Sequence, residues 1–253
     1  MTRRLDAALV AGGLARSRAQ ATELIRNGAV KVNGHPARRA SQPVGASDEL
    51  TAVRDPWVSR AAHKLLGALD GSGLPVPERV LDAGAATGGF TQVLLARGAQ
   101  IVYAIDVGHD QLAPALRADP RVRVREGLNL RALRLADLDD RPVSLVVSDV
   151  SFISLRMLLC PLFAVLAPGG RALLMIKPQF EVGRERIGSG GTVRSAADRA
   201  HAIKQVISAA AQLGWAPGWR ADSTLPGPAG NLEHFVCFER CGGRTDDPKA
   251  GLG

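Results

Sequence analysis

The run Val80-Leu81-Asp82-Ala83-Gly84-Ala85-Ala86-Thr87-Gly88-Gly89-Phe90 joins an apolar, strand-like segment to a helix-like one, Thr91 to Ala96, through a glycine-rich turn. A strand, tight turn and helix in that order belong to parallel sheets with helices on their faces. Gly84 permits a sharp backbone reversal, and Gly88 and Gly89 are expected to leave room for a ligand at the helix N-terminus. Asp106 closes the next apolar run, Ile101-Val102-Tyr103-Ala104-Ile105, and lies 22 residues after Gly84. An acidic side chain at that distance can hold the two hydroxyls of a ribose. Together these features predict an adenosine-containing cofactor.

The spacing Asp82-x-Gly84-x-x-x-Gly88 is not the GxGxxG of dinucleotide sites. It suits S-adenosylmethionine (AdoMet), whose amino and carboxyl groups want a carboxylate and backbone amides at such a turn. Strand-like and helix-like segments alternate beyond it: strands 80–83, 101–105, 122–125, 143–148, 171–176 and 234–239, and helices 90–97, 109–118, 155–166 and 196–213. The alternation predicts an α/β, Rossmann-like parallel sheet.

Ahead of it, Leu5, Leu9 and Val10 mark one short helix, and Ala21, Leu24 and Ile25 a second for which Ser17 is the expected N-cap. Val30-Lys31-Val32 then reads as a strand closing on the Asn33-Gly34 turn, with another near Leu50-Thr51-Ala52-Val53. The expected layout is a small α+β module over 1–53, a linker over 54–58, the large domain over 59–240 and a disordered tail over 241–253.

The formal net charge is +8 at pH 7, which points to a polyanionic partner. Residues 1–64 hold eleven Arg and Lys against five acids. Three cysteines without a CxxC pair argue against a disulfide framework and a zinc site, so no metal is expected. No signal peptide is evident, and the most apolar run, Met157 to Ala167, is too short for a membrane span and contains Pro161. A cytoplasmic, soluble protein is expected.

Chemistry in such folds sits at the carboxyl ends of the strands. Asp149 follows Ser144-Leu145-Val146-Val147-Ser148, Lys177 follows Ala172-Leu173-Leu174-Met175-Ile176, and Lys64 lies in Ser59-Arg60-Ala61-Ala62-His63-Lys64-Leu65. Two lysines beside one aspartate can yield a neutral amine that takes a proton from an alcohol, and an ammonium that stabilises the alkoxide. A sugar hydroxyl fits that device better than a base amine. Phe152, Phe180 and His234 are candidate stacking partners for a splayed base, and the loop with Gly188, Gly190 and Gly191 is a candidate lid.

The first module resembles an S4-type RNA-binding domain through Arg4-Leu5-Asp6, Gly13-Leu14-Ala15-Arg16-Ser17-Arg18, Ala21, Leu24-Ile25, Gly28 and Val30-Lys31-Val32-Asn33-Gly34. The resemblance implies that Arg4, Arg16, Arg18, Arg26 and Lys31 track an RNA backbone, with Arg60 beyond them. The larger domain is similar to the FtsJ-like, class I AdoMet-dependent 2′-O-ribose methyltransferases, marked by a Lys-Asp-Lys-Glu tetrad. The matching pieces are Ser59-Arg60-x-x-x-Lys64-Leu65, Leu81-Asp82-x-Gly84-Ala85-x-x-Gly88-Gly89-Phe90, Asp149, Lys177-Pro178-Gln179-Phe180-Glu181 and Gly230-Asn231-x-Glu233.

An S4 module joined to this domain resembles the TlyA family. The resemblance implies methylation of cytidine 2′-hydroxyls in ribosomal RNA of one or both subunits, and a linker that couples RNA engagement to cofactor binding. It implies Lys64, Asp149, Lys177 and Glu233 as the catalytic set, and Asp82, Gly84, Ala85, Gly88, Gly89, Phe90, Asp106, Asn129 and Asp149 as the AdoMet pocket. Two departures stand out. Glu126-Gly127-Leu128-Asn129 replaces the family's usual Glu-Arg-Thr-Asn, and Pro56 stiffens the linker directly before Trp57. The rival readings are a non-catalytic ribosome-binding factor, a membrane-active hemolysin (a label some family members carry) and a nicotinamide enzyme on the same fold.

Overall fold

The computed structural model describes residues 2–242 apart from Asn27, Arg54 and the side chain of Glu23, so most of the expected tail lies outside the described residues. The chain divides into two compact units, Met1–Pro56 and Trp57–Gly253.

In the first unit, β1 (Arg3–Arg4) leads into α1 (Leu5–Ala11), followed by α2 (Arg18–Arg26), β2 (Val30–Val32), β3 (His35–Pro36), β4 (Pro43–Val44) and β5 (Leu50–Ala52). β2 pairs antiparallel with both β3 and β5, and β1 with β4. Asn33 and Gly34, at φ +52° and +78°, make the tight turn between β2 and β3, as the Asn-Gly pair predicts. Ser17 Oγ accepts the amide of Gln20 at 3.2 Å and so caps α2. The apolar faces of both helices close on Val30, Val32 and Val44 in a small separate core.

Asp6 is the buried polar centre of this unit, only 3 % exposed. Arg4 donates to its two oxygens at 3.1 and 3.0 Å, Arg18 donates at 3.0 Å from 12 residues away, and the amide of Ala7 donates at 2.8 Å. The Arg4 hydrogen bonds, with help from Arg18, hold this carboxyl well below the usual range.

The second unit holds α3 (Ala61–Ser72), β6 (Arg79–Ala83), α4 (Gly89–Ala96), β7 (Ile101–Ile105), α5 (Pro114–Arg117), β8 (Val122–Arg125), β9 (Val143–Ser148), α6 (Leu159–Ala164), β10 (Leu166–Ile176), α7 (Ala196–Gln212), β11 (Trp215–Asp222) and β12 (His234–Arg240). Its seven strands run in the order β11-β12-β10-β9-β6-β7-β8. β8, β7, β6, β9 and β10 are mutually parallel. β12 runs antiparallel to β10, and β11 antiparallel to β12. Chain order reverses between β6 and β9, which is where such sheets open a ligand crevice. Leu81 and Ala83 of β6 face a core shared with α6 and α7, and Val80 faces a second core built with α3 and α4.

The sheet is therefore mixed at one edge where a parallel one was expected. β11 was missed because Pro217-Gly218 reads as a turn. On the outermost strand Pro217 costs no ladder bond, and the register shifts between Pro217 and Trp219. The helix expected over 109–118 shrinks to α5, which starts on Pro114 after a left-handed Asp110. The helix expected over 155–166 splits into a 3₁₀ turn, Leu155–Met157, and the short α6. None of the helices among the described residues is long and apolar enough to cross a membrane.

Asp6→Ala should loosen the first unit, read as faster amide exchange across residues 5–32 of the full chain while the second unit is unchanged. The carboxyl titrates lower in the folded state than in the unfolded one. Its stabilisation is therefore present above the ordinary carboxylate pKa of about 4 and is lost as pH falls below it. Protection factors in this unit should fall below about pH 4 in the parent chain, and the variant should lack that fall.

Candidate active site

The turn after β6 lies against the loop after β9. The amide of Asp149 donates to the carbonyl of Ala83 at 3.2 Å. A Cβ on Gly84 (φ +90°) would sit 3.2 Å from the carbonyl oxygen of Asp149 and 3.1 Å from Val150. Only glycine permits both that φ and that approach. The crossing brings Asp149 beside the turn, at the point where strand order reverses.

Lys177 follows β10 on the neighbouring strand, and its Nζ lies 2.6 Å from Asp149 Oδ1 and donates to Ser151 Oγ at 2.7 Å. β12 returns antiparallel to β10 with Ile176 opposite His234. One further step in that register sets Lys177 opposite Glu233. Glu233, 1 % exposed, forms a buried ion pair with Lys64 from the first turn of α3. α3 is seated tightly: a Cβ on Gly67 would fall 2.6 Å from Thr224, just beyond β11. The four residues expected as a tetrad thus lie at the carboxyl edge of the sheet as two lysine–carboxylate pairs.

Asp106, at the end of β7, accepts the amides of Ala86 at 2.9 Å and Gly108 at 2.8 Å, and its backbone carbonyl accepts the amide of Leu128 at 3.2 Å. These bonds draw the 86–87, 108 and 127–129 segments around one carboxylate. Asn129 is exposed there, its Oδ1 capping the next turn through the amide of Arg131.

Four of the residues expected to line the cofactor pocket are packed against other protein groups. The space around Gly88 is filled by Leu112 and Leu116, which a Cβ would approach to 2.7 and 2.4 Å. The space around Gly89 is filled by Ser59 and Ala61. Both glycines clear room for protein segments. The Phe90 ring is a core residue, 2 % exposed and stacked on Phe235.

Asp82 is fully buried on the α4 side of the sheet, where Thr91 donates to it at 2.7 Å, so it underlies the turn. Burial pushes its carboxyl up to about 7, and the charges of Asp149 and Asp106 add to the rise. Asp82 Oδ1 has no hydrogen-bond partner. Three carboxylates therefore gather at the turn, and the innermost lacks a counter-charge. A cofactor with an ammonium and a sulfonium fits this donor set. A dinucleotide would bring a pyrophosphate anion to it, which counts against the nicotinamide reading.

Phe152 stands 92 % exposed with φ +64°, its ring centroid 5.3 Å from that of Phe180. His234 is paired with Asp222 at 2.7 Å, which ties it down as a stacking group. The 188–191 loop is held rather than loose: Gly188 bridges to Thr192, and buried Asn231 accepts the amide of Val193 and donates to the carbonyl of Gly191, both at 2.9 Å. Ser151 was not singled out in the sequence, and Asn231 and Glu181 stood there only as members of matching pieces, without a role. Their one signal was position, within a few residues of Asp149, Glu233 and Lys177. Among the described residues no group of three His, Cys, Asp or Glu is placed to hold a metal ion.

In the first unit Arg16, Arg26 and Lys31 are exposed. Arg4 and Arg18 converge on Asp6, with their side chains still 51 % and 62 % exposed. Arg60 is half-buried directly before α3. A cleft of about 400 Å³ lined by Pro36, Arg38, Arg39, Ser41, Gln42 and Pro43 adds two arginines to this basic surface.

Comparison with known proteins agrees with both units. The S4 domain pattern matches residues 3–50 and the FtsJ-like methyltransferase pattern residues 57–240. The chain is 48% identical to the 16S/23S rRNA (cytidine-2'-O)-methyltransferase TlyA of Mycobacterium tuberculosis, over 92% of this chain and 88% of that one. It is 36% identical to Hemolysin A of Brachyspira hyodysenteriae, over 93% and 99% of the two chains. A solved structure from Streptococcus thermophilus that carries a hemolysin label superposes with a TM-score of 0.76 at 35% identity, covering 98% of this chain and 92% of that one. With both domains matched and near-half identity along almost its whole length, the chain belongs to the TlyA family of FtsJ-like methyltransferases.

Proposed function

We propose that this chain transfers a methyl group from AdoMet to the 2′-hydroxyl of a cytidine in ribosomal RNA. The observation that carries the reading is the pairing of Lys177 with Asp149 and of Lys64 with Glu233 at the carboxyl edge of the sheet, beside the Gly84 turn. The relatives named for rRNA cytidine-2′-O-methylation supply the acceptor class. A non-catalytic binding factor would have no use for two lysine–carboxylate pairs at this edge, one of them buried. The place of work is the cytoplasm, where ribosomal subunits are found.

When bound, AdoMet supplies a sulfonium methyl for attack by the acceptor oxygen. Asp106 is placed for the ribose hydroxyls, and Gly84, Ala85 and Asp149 border the turn that takes the methionine end, with Asn129 on the adenine side. Once its own ammonium proton has passed to solvent, the neutral Lys177 amine takes the proton from the 2′-hydroxyl as the oxygen gains the methyl, and Asp149 and Ser151 fix where that nitrogen points. Lys64, closed on Glu233, keeps a buried cation that stabilises charge developing on the acceptor oxygen. The exposed Phe152, backed by Phe180, offers a face on which an unstacked base can rest. Arg16, Arg26 and Lys31, with the half-exposed Arg4 and Arg18 and with Arg60, supply phosphate contacts.

Full-length protein incubated with tritiated AdoMet and separated ribosomal subunits should place label in 2′-O-methylcytidine after digestion to nucleosides. Lys177→Ala should lower that incorporation by at least about 100-fold while AdoMet still binds. Label in a base-methylated nucleoside, or an undiminished rate in the variant, would remove the assignment. Replacing Arg26 and Lys31 together by Ala should weaken subunit binding and reduce the slope of log K against log salt by about 2. An unchanged slope would take these two residues out of the RNA contact.

A further inference from the structure

Glu181 is a buried carboxylate for which the chemistry above has no use. It ends the short turn Pro178–Phe180 after β10, and its side chain is 1 % exposed. It accepts from Ser154 Oγ at 2.6 Å, from the amide of Leu155 at 2.6 Å and from Arg156 Nε at 3.2 Å. Burial pushes this carboxyl above its ordinary range, against the opposing pull of its three donors. A charge is thus kept in a dry place for the sake of three bonds, all of them to one loop.

That loop follows β9 and carries Asp149, Ser151 and Phe152. It is joined to the segment after β10 at three successive levels. Lys177 meets Asp149 and Ser151, the Phe180 ring meets that of Phe152, and Glu181 meets Ser154, Leu155 and Arg156. Phe152 is held in the left-handed region at φ +64°, with its ring 92 % exposed. A bulky residue does not adopt that backbone unless its surroundings impose it. At the outer two levels the contacts are with groups that must be free to engage substrate. Only at the Glu181 level is the anchoring side chain itself buried, at 1 % exposure.

We propose that Glu181 is a positioning residue for methyl transfer: its carboxylate clamps the loop from Asp149 to Arg156 in the strained form that presents Asp149, Ser151 and Phe152 to the acceptor nucleotide. The proposal rests on the methyl-transfer reading of the same site. Without the clamp, Phe152 relaxes to negative φ, its ring leaves the acceptor face, and the support for Lys177 from Ser151 moves with it.

Two measurements on the full chain test this, and the first needs no substrate. Thermal unfolding is compared for the parent, Glu181→Gln, Phe152→Gly and the double variant. Glycine takes φ +64° freely, so Phe152→Gly releases strain in the parent but has none to release once Glu181 is replaced. The shift caused by Phe152→Gly should therefore be more positive in the parent than in the Glu181→Gln background, by about 2–4 °C for a unit of this size. Should Glu181→Gln fail to fold, Ser154→Ala removes one short bond, leaves the carboxylate in place, and should give the same sign with a smaller difference.

The second measurement is methylation of ribosomal subunits. Glu181→Gln should lower kcat by on the order of 10- to 100-fold with the KM for AdoMet unchanged within about twofold. Additive unfolding shifts, or a kcat within about twofold of the parent, would overturn the proposal. A parent protein that methylates no subunit would instead count against the methyl-transfer reading, and the unfolding cycle would still judge the clamp by itself.

Discussion

The site depends on one close crossing of backbone. At Gly84 the chain leaves β6 at φ +90° and passes within van der Waals distance of the Asp149 carbonyl, at the place where strand order reverses. Any side chain at position 84 would push the two strand ends apart. Because they touch, Asp149 lies beside the cofactor turn, Lys177 reaches Asp149 from the next strand, and the antiparallel return of β12 brings Glu233 and with it Lys64. Glu181 and Asn231 then tie the surrounding loops to the same edge, each through hydrogen bonds made in a nearly dry setting, where an unmade bond costs most.

Charge is distributed in keeping with what the protein handles. The second unit gathers Asp82, Asp106 and Asp149 around the turn, an arrangement that a cationic cofactor satisfies. Each lysine of the tetrad is paired with its own carboxylate, so this edge of the sheet is locally balanced. In the first unit two arginines share the single buried Asp6, which leaves a net positive charge over a fixed scaffold. Exposed Arg16, Arg26 and Lys31 extend that surface.

Much of the fold was legible because the central strands are unbroken apolar runs that stop on an acid or a lysine. β7, β8 and β9 fall on the expected residues, since strands buried on both faces leave little else for such runs to be. β11 was not legible, because Pro217-Gly218 is a turn signal that only an edge position overrides. In the site, the tetrad residue types and their strand-end positions were visible, but not which lysine pairs with which acid. That choice is made by the register of β12, a contact between distant parts of the chain. The packing around Gly88, Gly89, Phe90 and Asp82 was not legible for a related reason. A glycine that clears space looks the same in sequence whether leucines or a ligand fill the space, and an acid ending a strand looks the same whether it faces the crevice or underlies it.

The central claim is that the carboxylate-ringed turn takes a cationic cofactor. Calorimetric titration of the full chain with AdoMet and with NADH, in two buffers of different ionisation enthalpy near pH 7, tests it most directly. A positive charge beside Asp82 favours its ionised form and lowers a carboxyl that stands at about 7 without cofactor. AdoMet should therefore bind one per chain with release of a fraction of a proton, its affinity rising with pH through about 7, and NADH should not bind. Saturable binding of NADH, or AdoMet binding with proton uptake, would contradict the account.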